Sequence, residues 1–226
     1  MRVSEIVKNL DWSVLTDALL TIIPALICIT LHELSHGFVA YKLGDPTAKR
    51  MGRLTLNPIK HIDVVGLIAM VLFKFGWAKP VPVDMRYFKN PKRGMAVTAL
   101  AGPASNIVIA VIALLIYGFL YRLLSVGTVG EYVLEMIYIT AYLSTALAIF
   151  NIIPIPPLDG SKVLFSVMSD EAYYRLMLYE KYGMILLIVL MVTGVTGRYL
   201  QVAVGFVFNI LFAAARLAFR LTGGII

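Results

Sequence analysis

The chain has 226 residues, 60% of them hydrophobic and only 15% charged, with a mean hydropathy of +0.85. A soluble domain runs nearer a quarter charged, so these proportions exclude an ordinary water-soluble globule and predict an integral membrane protein with about five or six spans. The net charge of +7 does not point to nucleic acid, because the basic residues cluster in short loops between apolar segments, as the positive-inside rule requires.

Residues 1–12 read as a polar lead-in, an interfacial helix and not a cleavable leader, since Glu5, Asn9 and Asp11 interrupt it. The first span runs from about Ser13 to Tyr41. Ala18 to Leu31 carries no charge, and then comes His32-Glu33-Leu34-Ser35-His36-Gly37. Histidines four apart share one helix face and can grip one metal ion, with the intervening glutamate as base. Ionisable residues inside a bilayer are costly enough to mark a functional site. The span stops at Lys42-Leu43-Gly44-Asp45-Pro46, a helix-ending glycine before proline. Lys42 lies roughly 15 Å along the axis from His32, which places the metal site within the membrane near its basic end. Cys28, the only cysteine, sits one turn before His32 and reads as a small packing residue.

Residues 47–93 are mixed in character. Arg53–Asn57 and Trp77–Val83 read as short extended segments, and Val64–Phe73, too short to cross, as a re-entrant or interfacial piece. A second span covers about Gly94–Tyr121, its first half rich in small residues (Ala96, Ala99, Ala101, Gly102, Ala104, Ser105) that admit a close neighbour. A third span, about Tyr132–Ile155, ends in Asn151-Ile152-Ile153-Pro154-Ile155-Pro156-Pro157-Leu158-Asp159-Gly160. Lys162–Lys181 reads as a surface connection, and two shorter apolar segments, Tyr182–Gly197 and Tyr199–Ala215, close the chain, hinged at Arg198. The expected organisation is one membrane domain over residues 1–226, with a core at 13–170 and a C-terminal helical pair at 182–220. With the N-terminus outside and five crossings, sixteen of the twenty Lys and Arg fall on the inner side, so His36 and Asp159 lie toward the cytoplasm.

Catalytic zinc takes three protein ligands and keeps a position open. His61 and Asp63 are one source of the third, but they follow Pro58 in a basic loop, where His61 reads as a surface or interfacial histidine. Asp159 is the stronger choice. Pro154, Pro156 and Pro157 cannot continue a helix, Gly160 lets the chain turn, and broken helices at membrane depth persist where they line a cavity. The plainer alternative is an aspartate capping the helix that follows.

His-Glu-Leu-Ser-His-Gly in a first span, Ala-Gly-Pro-Ala-Ser-Asn (Ala101–Asn106) in the next, and Asn-x-x-Pro-x-Pro-x-Leu-Asp-Gly (Asn151–Gly160) ending a third together resemble the site-2 protease family of intramembrane zinc metalloproteases. The resemblance covers roughly residues 20–170 and corresponds to a minimal form without a PDZ or CBS domain. It implies an all-α polytopic fold with a short membrane-associated β segment near Arg53–Asn57 and Trp77–Val83 that holds unwound substrate by strand addition. It further implies one zinc ion on His32, His36 and Asp159, and Glu33 as the base that activates a water on that zinc. Asn106 and Asn151 match positions implied to bind substrate or stabilise the oxyanion, though either can equally bridge packed helices. The implied substrate is a transmembrane protein in the bilayer of a prokaryotic cell. The rival readings are a zinc-binding membrane scaffold without peptidase activity and a metal transporter. Transporters, however, show paired halves, and no internal repeat is present here. Substrate identity and oligomeric state are not written in the sequence.

Overall fold

The computed structural model of the protein describes residues 12–66 and 77–223. Most of the lead-in and residues 67–73 of the expected re-entrant segment lie outside them. The described chain is mainly helical. Helix α1, Trp12–Lys42, carries Pro24 buried within it. It ends where Gly44 takes φ 110, a conformation that only glycine adopts freely. The next residue, Asp45, is fully buried. Its Oδ1 accepts from Thr47 N–H at 2.9 Å at the start of the short helix α2, Thr47–Arg50. Its Oδ2 accepts from Asp84 N–H at 2.7 Å. One carboxylate thereby ties the end of α1 to both parts of the basic loop region.

Helix α3, Pro91–Leu124, starts with Asn90 capping Arg93 N–H and proline in its first turn, a strong start signal. Its buried face is a stripe that includes Ala99, Gly102, Pro103, Asn106, Ala110, Ala113, Leu114 and Gly118, spaced by three and four. Lipid gives helices no hydrophobic reason to associate, so packing at small residues supplies the attraction. Ala104, expected on that face, points outward. Helix α3 is the hub. It packs most heavily on α4 (Thr128–Asn151), and also on α1, on the short helix α5 (Asp159–Ser166) and on α8 (Ala213–Leu221). At Gly118 a Cβ would stand 2.1 Å from the Ala215 carbonyl oxygen, so α8 crosses α3 there.

Among the described residues, four helical stretches are long and apolar enough to cross a membrane, Thr16–Lys42, Pro91–Leu124, Thr128–Asn151 and Gly197–Leu221. The expectation of five or six spans is for the whole chain, including residues outside those described. The residues read as a surface connection, 162–181, are largely helical. They contribute to α5 and to the first half of α6, Asp170–Val192, so their charges lie within helix. The last break is also displaced. Gly194, at φ 69, separates α6 from α7, Val195–Leu211, and Arg198 lies inside α7. Of the expected β segment, the described residues keep a single antiparallel bridge, Ile62 to Ala78, with Lys79 N–H donating to His61 C=O at 2.9 Å. Prolines at 58, 80 and 82 remove the donors a longer ladder needs.

Candidate metal centre

Helix α1 puts His32 and His36 on one face, and both are nearly buried. The third member comes from the far side of the break. Helix α4 ends at Asn151, the prolines keep the next residues out of regular helix, and Asp159 is the first residue of α5. Leu158, not Asp159, occupies the N-cap position, and no side chain caps the helix, which removes the plainer reading of this aspartate. Gly160 matters for space and not for turning. It lies within α5, where a Cβ would meet the Ile152 carbonyl oxygen at 2.1 Å. Only a bare Cα lets α5 fold back against the end of α4.

The three residues converge. His32 Nε2 and His36 Nε2 are 3.0 Å apart, and Asp159 Oδ2 lies 3.2 Å from the first and 3.1 Å from the second. Asp159 Oδ2 is buried and makes no hydrogen bond. These three form the one group of possible metal ligands among the described residues. Tetrahedral zinc bound at ordinary lengths separates its ligand atoms by about 3.3 Å, so the triangle has the size of one face of such a site.

The surroundings orient the rings. His36 Nδ1 lies 2.7 Å from the Thr98 carbonyl oxygen. A carbonyl can only accept, so Nδ1 carries the proton and Nε2 presents its lone pair to the centre. His32 Nδ1 faces the Asn106 amide at 3.1 Å, and Asn106 is completely buried. Gly102 makes the approach of α3 to α1 feasible, since a Cβ there would stand 2.4 Å from His36 Nε2 and 2.5 Å from His32 Cε1.

Glu33 is not part of the ligand group. Its Oε2 accepts from Val81 N–H at 2.8 Å. Because Pro80 and Pro82 have no N–H, Val81 supplies the one backbone donor of that tripeptide. Gly37 makes room for the same loop region, since a Cβ there would meet Leu54 Cδ2 at 2.7 Å and Val81 Cγ1 at 3.0 Å.

Other expected residues fall elsewhere. Asn151 donates from Nδ2 to the Leu147 carbonyl oxygen at 3.0 Å, one turn back in its own helix. His61 is not at the surface. It is 1% exposed because the 3-10 turn Pro58–His61 tucks its ring inward, where Nε2 meets the Thr55 carbonyl oxygen at 2.9 Å, and it stands outside the ligand group. Asp63 Oδ1 accepts from Gly66 N–H. Cys28 is buried between α1 and α4, where Ser144 Oγ donates to its Sγ at 3.1 Å. The sequence reading missed the Val81 N–H and the Thr98 carbonyl. The Pro-Val-Pro run was the available signal for the first, and none existed for the second.

The family model of Peptidase family M50 matches residues 124–196, the part that holds the helix break and Asp159. The chain is 39% identical over 174 residues to "Putative zinc metalloprotease YwhC" of Bacillus subtilis (strain 168), covering 76% of this chain and 80% of that protein. It is 30% identical over 179 residues to "Putative zinc metalloprotease Rip2" of Mycolicibacterium smegmatis, covering 77% and 67%. Against "Zinc metalloprotease MJ0392" of Methanocaldococcus jannaschii the identity is 26% over 148 residues, covering 66% of this chain and 34% of that protein. No solved structure matches the chain.

Proposed function

The chain belongs to peptidase family M50, the site-2 protease family, and on that premise we propose that it is a zinc-dependent endopeptidase that cuts other membrane proteins within or beside their transmembrane segments. His32, His36 and Asp159 hold the ion, and Glu33 is the catalytic base. The observation that carries this reading is the buried triangle of two imidazole nitrogens and a carboxylate oxygen that makes no hydrogen bond. Such a donor set suits catalytic zinc, which takes three protein ligands and leaves a position open. The ion, when bound, supplies Lewis acidity toward the peptide carbonyl and acidifies water.

The chain's own groups do the rest. Val81 N–H holds Glu33 Oε2, which leaves Oε1 to take a proton from water and return it to the leaving nitrogen. Asn151, at the end of α4, has a second amide N–H for substrate or oxyanion. The loop segment at Trp77–Val83 is anchored beside the base, so an extended stretch of substrate pairing with it comes to lie near the centre. A helical substrate has to unwind to do so, because its peptide groups are otherwise engaged in its own hydrogen bonds. The four apolar helices among the described residues support a bilayer setting for this chemistry. The excess of Lys and Arg near the loop end of α1 supports an orientation of the site toward the cytoplasmic side of a prokaryotic cell membrane.

The test is reconstitution in lipid vesicles with a membrane-embedded substrate, comparing the wild type with Glu33→Gln, which retains zinc. Cleavage by the wild type alone is expected. Equal cleavage by both removes Glu33 from the chemistry, and zinc flux that depends on His32 but not on Glu33 replaces the protease with a transporter.

A further inference from the structure

His36 and His32 are held differently. His36 Nδ1 meets a backbone carbonyl, which fixes that ring's proton on Nδ1. His32 Nδ1 meets a side-chain amide, and an amide has an accepting end and a donating end of nearly the same shape. In the structure Asn106 Nδ2 stands 3.1 Å from His32 Nδ1, while Asn106 Oδ1 is buried without a hydrogen-bond partner. In that orientation the amide donates to His32 Nδ1 and the ring proton moves to Nε2. That nitrogen lies 3.0 Å from His36 Nε2 and 3.2 Å from Asp159 Oδ2, and with a proton on it His32 has no lone pair for an ion.

Turned over end for end, the same amide accepts from His32 Nδ1–H, and Nε2 is free to ligate. The exchange gives Oδ1 a donor and moves Nδ2 to the position Oδ1 leaves. Asn106 has little freedom for anything else. It is 0% exposed and sits on the buried stripe of α3 one turn beyond Gly102, where the helix presses on both imidazoles. Substrate has no route to an amide with no accessible surface.

We propose that Asn106 is a positioning residue for the metal centre: its side-chain oxygen accepts the His32 Nδ1 proton, selects the tautomer whose Nε2 binds zinc, and fixes the plane of that ring. This rests on the zinc reading of the site. It assigns to Asn106 the part that carboxylates and carbonyls commonly play behind metal-bound histidine, where loss of the partner weakens metal binding by about 10- to 100-fold.

The test uses Asn106→Asp, which keeps the shape and can only accept, and Asn106→Leu, which keeps the volume and can do neither. The full-length protein in detergent is titrated with zinc against a chromophoric chelator, and cobalt(II) is added separately to read ligand geometry from its absorption bands. Asn106→Asp is expected to hold zinc as tightly as the wild type within about threefold, and Asn106→Leu to bind about 10- to 100-fold more weakly, with altered cobalt bands. Wild-type affinity in Asn106→Leu overturns the proposal. So does a loss in Asn106→Asp equal to that in Asn106→Leu, which would make the donating end the one that matters. If Asn106→Leu does not fold, Asn106→Asp decides alone, since tight binding requires an acceptor and lost binding refutes one. A wild-type protein that holds no zinc at all overturns the site itself, and this inference with it.

Discussion

Replacing Gly102 by alanine sets two effects of opposite sign against each other. Alanine is favoured over glycine in a helix interior by about 1 kcal/mol, so if Gly102 served only as part of α3 the variant would be more stable. The added methyl, however, would stand 2.4 Å from His36 Nε2 and 2.5 Å from both His32 Cε1 and His36 Cε1. This is about 1 Å inside ordinary contact. Neither ring can swing aside cheaply, because each is held at Nδ1, by the Thr98 carbonyl and by Asn106. The strain has to separate α1 from α3 or pull a ligand off the centre, and overpacking of this kind costs about 1–3 kcal/mol. The expected result is zinc binding about 10- to 100-fold weaker in Gly102→Ala, a loss of about 1.4–2.7 kcal/mol, measured by chelator competition in detergent. The metal-free protein should lose up to about 2 kcal/mol of stability, the overpacking cost less the gain in helix propensity. Ala104→Val, two residues on and facing outward, is the control and should leave zinc affinity unchanged. Wild-type affinity in Gly102→Ala would refute the claim that this glycine exists to admit the imidazoles.

Val81→Pro deletes the N–H that holds Glu33, and hydrogen bonds to a charged group are worth about 1.5–3 kcal/mol, so cleavage should fall by tenfold or more while zinc is retained. Val81→Ala keeps the N–H, and equal damage in both variants would trace the effect to packing against Gly37 instead. Asp159→Asn removes the charged oxygen between the imidazoles and should abolish stoichiometric zinc without abolishing the fold, which metal analysis and circular dichroism check together. Stripping the wild type with a chelator should lower its thermal midpoint, and zinc in excess should restore it, by about 4 kcal/mol at a thousand times the dissociation constant. A midpoint indifferent to zinc would mean that the ion is not held in the folded state.

The parts legible in the sequence were those where chemistry and solvent conflict. Two imidazoles and a carboxylate that follow an uncharged run within one span had to be accounted for, and a triple-proline break next to Asp159 had to be placed where irregular backbone is tolerated. Hydropathy reports the solvent a segment meets and not its backbone state, so the charged residues at 162–181 read as a surface connection, with no helix expected. Their charges support helix instead, as in the Glu171–Arg175 pair at 2.6 Å one turn apart. For the same reason Arg198 was mistaken for a hinge, while the true break lies at Gly194, whose φ is 69. His61 reads as superficial because it follows Pro58 in a basic loop, yet a 3-10 turn buries it. The Val81 amide and the Thr98 carbonyl carry no residue-type signal, because every residue offers one or both.

Three glycines show how the site is held together. A methyl at Gly37 would strike Leu54 and Val81, one at Gly102 would strike both imidazoles, and one at Gly160 would strike the Ile152 carbonyl. Each marks a close approach, of the loop region to α1, of α3 to α1, and of α5 to the end of α4. In a bilayer such approaches replace the hydrophobic force that assembles a soluble core. They bring Glu33, the two histidines and Asp159 within reach, but they do not neutralise Asp159 Oδ2, which remains buried without a hydrogen bond. Packing alone therefore leaves an uncompensated polar atom at the junction of α1 and α5, and such an atom is costly. A cation at that point would convert the cost into a cross-link between two helices whose candidate ligands lie more than a hundred residues apart in sequence. On this argument zinc is structural as well as chemical here: its loss should loosen α5 from α1 before it disturbs α3 and α4, whose contact is the most extensive in the fold.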